Sequence, residues 1–242
     1  MRTQLKRQDA VSLSARLSRQ FPHDELVIEA MSLAAFSHDG AFRKESRDGV
    51  QYRDPYIIHP LRNSLRVQRW YAGWHYPSVP TMVCATLLHD TVEDAAERII
   101  EFYGDTFLLY GNTPRETALN ALARRFGDKV SDIVFRVTNP EGDLAPAEYT
   151  EHIRTWVVTD EGAYVTKASD LVDNAGSLKH MDESPRRTRL AHKYVVPVQV
   201  MRAHSEVVRT PHVRSRIQER LRRVELDLCA ILGIEDESDP LS

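Results

Sequence analysis

One histidine and three carboxylates, His89, Asp90, Glu93 and Asp94, end the apolar run Thr81-Met-Val-Cys-Ala-Thr-Leu-Leu-His-Asp-Thr-Val-Glu-Asp94. A run this apolar has to pack against other elements, yet four ionisable groups are costly to bury unless they do chemistry together. His-Asp also occurs at residues 23–24 and 38–39, without the Leu-Leu run before it or the acidic pair after it. Context selects the third copy. On a helix expected over residues 80–95, His89 and Glu93 fall four apart on one face, with Asp90 and Asp94 beside them.

Imidazole with carboxylate suits a borderline or hard divalent cation such as Mn²⁺, Fe²⁺ or Mg²⁺, and a thiolate-rich zinc site is excluded by composition. The two cysteines, Cys84 and Cys229, sit far apart in apolar stretches and read as small core residues. One helix cannot enclose a metal, so further ligands have to come from elsewhere. Upstream lies Asp54-Pro-Tyr-Ile-Ile-His59-Pro60-Leu61. Pro60 favours an extended His59 and a helix start at the proline, which holds the imidazole at a helix mouth. Downstream, Lys167-Ala-Ser-Asp170-Leu-Val-Asp173-Asn174 carries a carboxylate on an otherwise apolar helical stretch.

In order, His38-Asp-Gly-Ala-Phe-Arg43-Lys44, Pro55-Tyr-Ile-Ile-His59-Pro-Leu, Ala85-Thr-Leu-Leu-His89-Asp90-Thr-Val-Glu93-Asp94, Phe126-Gly-Asp-Lys-Val and Lys167-Ala-Ser-Asp170-Leu-Val-Asp-Asn174 resemble the hydrolase domain of RelA/SpoT-type enzymes. The likeness is to free-standing small alarmone hydrolases, within the HD phosphohydrolase superfamily. The ordered ensemble is far more specific than any one motif. The resemblance implies an all-α, single HD-domain helical bundle. It makes His59, His89, Asp90 and Asp170 the ligands of one metal, typically Mn²⁺. Glu93 and Asp94 match the acidic pair that positions and activates water. Arg43 and Lys44 match the basic pair at the base and phosphates, Asn174 matches a nucleotide contact, and Lys167 and Arg154 are further candidate phosphate partners. The implied reaction is hydrolysis of the 3′-pyrophosphate of guanosine tetra- and pentaphosphate.

The chain departs from the pattern at Leu171, where a basic residue is usual, and at Asp173, where His or Tyr is usual. Both changes are expected to remove positive or neutral polar character near the substrate, and Asp173 to compete as a ligand or repel phosphate. Segments near 45–54 and 95–120 are longer than their counterparts. Domain limits are expected at an N-terminal extension over 1–24, the hydrolase domain over 25–208, and a C-terminal helix with an acidic tail over 209–242.

With 242 residues, 42% of them hydrophobic, and a net charge of −3, the chain can bury one sizeable core and has no general affinity for nucleic acid. No apolar run approaches the length of a membrane span, and Met-Arg-Thr-Gln-Leu-Lys-Arg lacks a signal's apolar stretch, so a cytoplasmic protein is expected, without a membrane partner. A phosphorylated nucleotide is the expected partner, and a homo-oligomer stays open. Helices are expected at 24–37, 60–71, 80–95, 114–125, 128–137, 146–157, 162–180, 185–208 and 211–232. Thr113-Pro114-Arg115-Glu116 is a start signal and Gly127 a stop. Three functions fit: an alarmone hydrolase, an HD phosphohydrolase for another nucleotide, and an inactive metal- and nucleotide-binding module.

Overall fold

A computed structural model describes residues 9–43, 54–73, 78–104, 106, 108–142 and 144–234. Lys44, Trp74 and Tyr76 lie outside them. The described residues form an all-α bundle of eleven helices: α1 (Ala10–Gln20), α2 (Glu25–Ser37), α3 (Ile58–Trp70), α4 (Val79–Leu88), α5 (Thr91–Tyr103), α6 (Pro114–Phe126), α7 (Asp128–Val137), α8 (Pro146–His152), α9 (Glu161–Ser177), α10 (Pro185–Ala203) and α11 (Pro211–Leu232). A π-helical turn, Ile153–Val157, extends α8. Among these residues the extended pairing is a single bridge, Phe42 to Pro55.

Local chemistry sets the helix ends. The carboxylates of Asp9, Asp24 and Asp160 accept from backbone N–H groups in the first turns of α1, α2 and α9, and Thr113 and Ser184 do the same for α6 and α10. Glu116 reaches back to accept from the N–H of Asn112, completing the expected start of α6. Gly127, at φ 87°, turns the chain from α6 into α7, a conformation that costs a residue with a side chain.

Helix α9 runs through the middle of the bundle and packs on α3, α4, α7, α10 and α11. Residues 163–171 of α9 are buried without a break, which is why this stretch shows no clean amphipathic stripe. Residues 10–20, placed by the sequence in an extension, form α1. Its Leu13 and Leu17 belong to the same core as Leu61, Leu87, Leu122 and Leu228. Cys84 and Cys229 are buried there too, and Trp70 and Tyr71 join the core.

Two expected helices differ. The one over 80–95 divides: α4 ends at Leu88, and α5, which starts at Thr91, is broken at Ala95 (φ −152°, ψ 41°). The ring Nδ1 of His89 donates to the carbonyl of Thr86 and the hydroxyl of Thr91 to that of Leu88, so side chains take the last carbonyls of α4. His89 and Asp90 thus occupy a helix junction rather than one straight face. His59 is also helical rather than extended, because N–H groups of Ile58 and His59 close a turn onto Pro55 and Tyr56 before the proline arrives.

Candidate metal centre

The first turn of α3, the α4–α5 junction and the middle of α9 bring four side chains to one point. His59, His89 and Asp90 each offer a ligand atom within 4.8 Å of the others. Asp170 Oδ1 adds a fourth, 3.1 Å from His59 Nε2 and 3.7 Å from His89 Nε2. Asp90 Oδ2 lies 3.6 Å and 3.1 Å from the same two nitrogens. These are the four residues expected from the sequence.

Each imidazole is oriented from behind. His89 uses Nδ1 for the Thr86 carbonyl at 2.9 Å, and its buried Nε2 has no hydrogen-bond partner among the described residues. His59 uses Nδ1 for Asp173 Oδ2 at 2.7 Å, which leaves its Nε2 lone pair facing Asp90 and Asp170. Asn63 Nδ2 stands 3.2 Å from that nitrogen. Two ring nitrogens beside two carboxylates are the donor set of a divalent cation, and an orphaned buried nitrogen otherwise carries an uncompensated desolvation cost. Full burial opposes a charged His89, yet Asp90 and Asp170 outweigh it and push its pKa up to about 10. The cluster attracts positive charge.

Asp173 corrects the expectation that it would compete as a ligand or repel phosphate. Its carboxylate sits behind His59, on the far side of the ring from Asp90 and Asp170, and accepts also from Arg62 at 2.8 Å and Arg66 at 3.1 Å. Burial raises its pKa, but His59, Arg62 and Arg66 outweigh this and hold it well below the usual carboxylate range. Leu171 is fully buried among apolar side chains, so its departure from the pattern belongs to the core. Arg62 and Arg66 were missed by the sequence reading, although three and seven residues after His59 is helical spacing.

Lys167 is buried, with Nζ 3.0 Å from Asp170 Oδ2 and over the Tyr149 ring at 5.3 Å. It neutralises the one Asp170 oxygen while the other faces the histidines. Arg43 donates to Asn174 Oδ1 at 2.9 Å, and Asn174 donates to Asp170 Oδ1 at 2.6 Å, so both expected substrate contacts touch the cluster's edge. Arg154 stands apart: its side chain is half exposed and pairs with Glu151.

The acidic pair lies next to the ligands. Glu93 is clamped by Asn139, whose backbone N–H and Nδ2 donate to it at 2.9–3.0 Å. Arg115, from the first turn of α6, bonds the carbonyls of Asn139 and Glu93 and secures that clamp. Asp94 opens to solvent on one side, yet the packed surroundings of its carboxyl and the charges of Asp90 and Glu93 push its pKa up to about 6. Two aromatic neighbours escaped the sequence reading as site residues. Tyr56 donates to Asp90 Oδ2 at 2.6 Å, and the buried His38 ring stacks on Tyr56 at 4.5 Å. Both stand in the quoted motifs, but ligand chemistry alone gives no reason to single them out.

No protein-family model and no curated protein sequence matches the chain. Among solved structures, it is similar to one described as a metazoan ortholog of SpoT that hydrolyzes ppGpp and plays a role in starvation responses. The match has a TM-score of 0.57 at 20% identity, covering 83% of this chain and 96% of the other. The two share a fold. The expected all-α helical bundle is therefore found, and at this identity the likeness establishes architecture alone.

Proposed function

We propose that this chain is a metal-dependent nucleotide pyrophosphohydrolase that removes the 3′-pyrophosphate of guanosine tetra- or pentaphosphate, or of a close analogue. The observation that carries the proposal is the meeting of His59, His89, Asp90 and Asp170 from three separate segments, with Glu93 and Asp94 at their side. In this reading the four hold one divalent ion, Mn²⁺ being the choice that nitrogen and oxygen donors and the sequence resemblance both favour. When bound, the ion supplies Lewis-acid polarisation of a phosphoryl oxygen and acidifies water.

The chain's own residues do the rest. Asn139 and Arg115 hold Glu93 in place to orient a water molecule, and Asp94 accepts its proton. The water oxygen bonds to the phosphorus carried by the ribose 3′-oxygen, the bond from that phosphorus to the 3′-oxygen breaks, and the 3′-oxygen leaves as a hydroxyl by taking up the proton that Asp94 had accepted. Pyrophosphate is released. Arg43, Asn174 and Lys44 bind the nucleotide, while Lys167 keeps Asp170 ionised from behind. Arg154 is at most a contact for the outer end of a long substrate.

A metal-supplemented screen of guanosine tetraphosphate, its adenosine analogue, nucleoside triphosphates and 3′-phosphorylated nucleotides tests the reading. Pyrophosphate release from guanosine tetraphosphate is expected, with kcat at least about a hundredfold lower in Glu93→Gln or Asp94→Asn while metal is retained. Turnover of another nucleotide would keep the reaction and change the base. Turnover of none would reject it.

A further inference from the structure

Each of the four side chains that meet at the metal centre is held from outside the cluster. Thr86 holds His89, Asp173 holds His59, and Lys167 and Asn174 hold Asp170. Asp90 stands at the N-cap of α5, where a carboxylate ordinarily accepts from first-turn N–H groups, yet it makes no such bond. Among the described residues its holder outside the cluster is Tyr56, whose hydroxyl donates to Oδ2 at 2.6 Å. That oxygen is the one 3.1 Å from His89 Nε2 and 3.6 Å from His59 Nε2. A phenol is neutral at pH 7 and gives one proton, so it takes one lone pair of this oxygen and leaves the carboxylate's charge for a cation.

The ring of Tyr56 has contacts of its own. Residues 41–43 pair with residues 54–56 around the Phe42–Pro55 bridge, with the N–H of Arg43 donating to the Asp54 carbonyl and that of Tyr56 to the Ala41 carbonyl, both at 2.9 Å. This pairing sets the Arg43 guanidinium 5.9 Å from the centroid of the Tyr56 ring, at the reach of a cation–π contact, and Arg43 donates from there to Asn174. The His38 ring lies 4.5 Å from the same ring. One residue thus touches the segment that carries Arg43 and the carboxylate of Asp90, and its carbonyl accepts from the N–H of His59 at 2.9 Å. Filling space here would require the ring and not the hydroxyl.

We infer that Tyr56 is a positioning residue that joins the two halves of the site: its hydroxyl sets the Asp90 carboxylate for the cation, and its ring sets Arg43 for the nucleotide. The first role needs only a cation at the His/Asp cluster, whereas the second rests on the proposed nucleotide substrate.

Calorimetric titration of Mn²⁺ into chelator-treated protein compares the wild type with Tyr56→Phe, which keeps the ring, and Tyr56→Leu, which keeps neither group. Both variants should bind Mn²⁺ about tenfold to a hundredfold more weakly, the usual range for losing the hydrogen-bond partner of a metal ligand. At saturating Co²⁺ their ligand-field absorption bands should differ from those of the wild type, a change that loss of a space-filling group away from the ligands does not make. At saturating Mn²⁺, KM for guanosine 3′,5′-bis(diphosphate) should be unchanged in Tyr56→Phe and about twofold to thirtyfold higher in Tyr56→Leu, the range of a cation–π contact. Wild-type Mn²⁺ affinity or wild-type Co²⁺ bands in Tyr56→Phe would overturn the role of the hydroxyl. A KM that moves alike in the two variants, or in neither, would overturn the role of the ring. No turnover by the wild type, beside weakened Mn²⁺ binding in Tyr56→Phe, would reject the proposed function and keep Tyr56 as the residue that positions Asp90.

Discussion

His59 has partners of opposite purpose on its two ring nitrogens. Asp173 holds Nδ1 at 2.7 Å, and Nε2 looks toward Asp90 and Asp170. A carboxylate behind a ligating imidazole fixes the tautomer, fixes the ring plane and makes the ligand more basic, and losing one typically costs ~10–100-fold in metal affinity. Asp173→Asn keeps the size and a hydrogen-bonding oxygen but removes the charge that Arg62 and Arg66 share. Calorimetric titration with Mn²⁺ should show an affinity loss of about that size with the helical circular dichroism unchanged. Affinity equal to the wild type would remove Asp173 from the account. The four residues that meet, His59, His89, Asp90 and Asp170, could be read from the sequence because imidazole and carboxylate announce their chemistry wherever they fall. The role of Asp173 could not, because it depends on which nitrogen of His59 it meets, and that is set by the packing of α3 on α9. Leu171 shows the same limit: from its neighbour Asp170 it looked like a substrate-side change, whereas one residue further round a buried helix is a different environment.

At the scale of elements, caps and glycines marked α7 to the residue and α6 to within one, since their signals are local: Thr113, Pro114 and Glu116 at one end, Gly127 at the other. The α4–α5 junction was invisible for the converse reason. Its break depends on His89 and Thr91 turning their side chains back to main-chain carbonyls, and the same residues would fit a continuous helix. The junction matters to function, because it lets His89 and Asp90 reach one point while Glu93 stays beside them in the next turn. Helix α1 was assigned to an extension because its residues, Ala-Val-Ser-Leu-Ser-Ala-Arg-Leu, precede the segments that carry the resemblance. Two leucines four residues apart are enough to seat it against α3, and Leu17 is fully buried. Leu17→Ala should therefore cost about 2–5 kcal/mol in urea unfolding monitored by circular dichroism, the range for a leucine in a closed core. A cost under about 0.5 kcal/mol, ordinary for a surface position, would show that α1 is not part of the cooperative unit.

For the molecule as a whole, the bundle is a device for placing charge where charge is costly. Helices α3, α4, α5 and α9 deliver two histidines and two aspartates to one point, and the charges behind it are paired in turn: Lys167 with Asp170, Arg62 and Arg66 with Asp173. A cation binding such a folded site and not the unfolded chain stabilises by about 2.7 kcal/mol at a hundred times its dissociation constant, so metal should raise the melting temperature as well as permit turnover. The most direct test of the central claim is pyrophosphate release from guanosine 3′,5′-bis(diphosphate) as Mn²⁺ is titrated into chelator-treated protein, wild type beside His89→Ala. Release that rises from zero and saturates in the wild type, and stays at zero in His89→Ala, is the predicted result. Release that continues without metal, or survives the loss of His89, would contradict it.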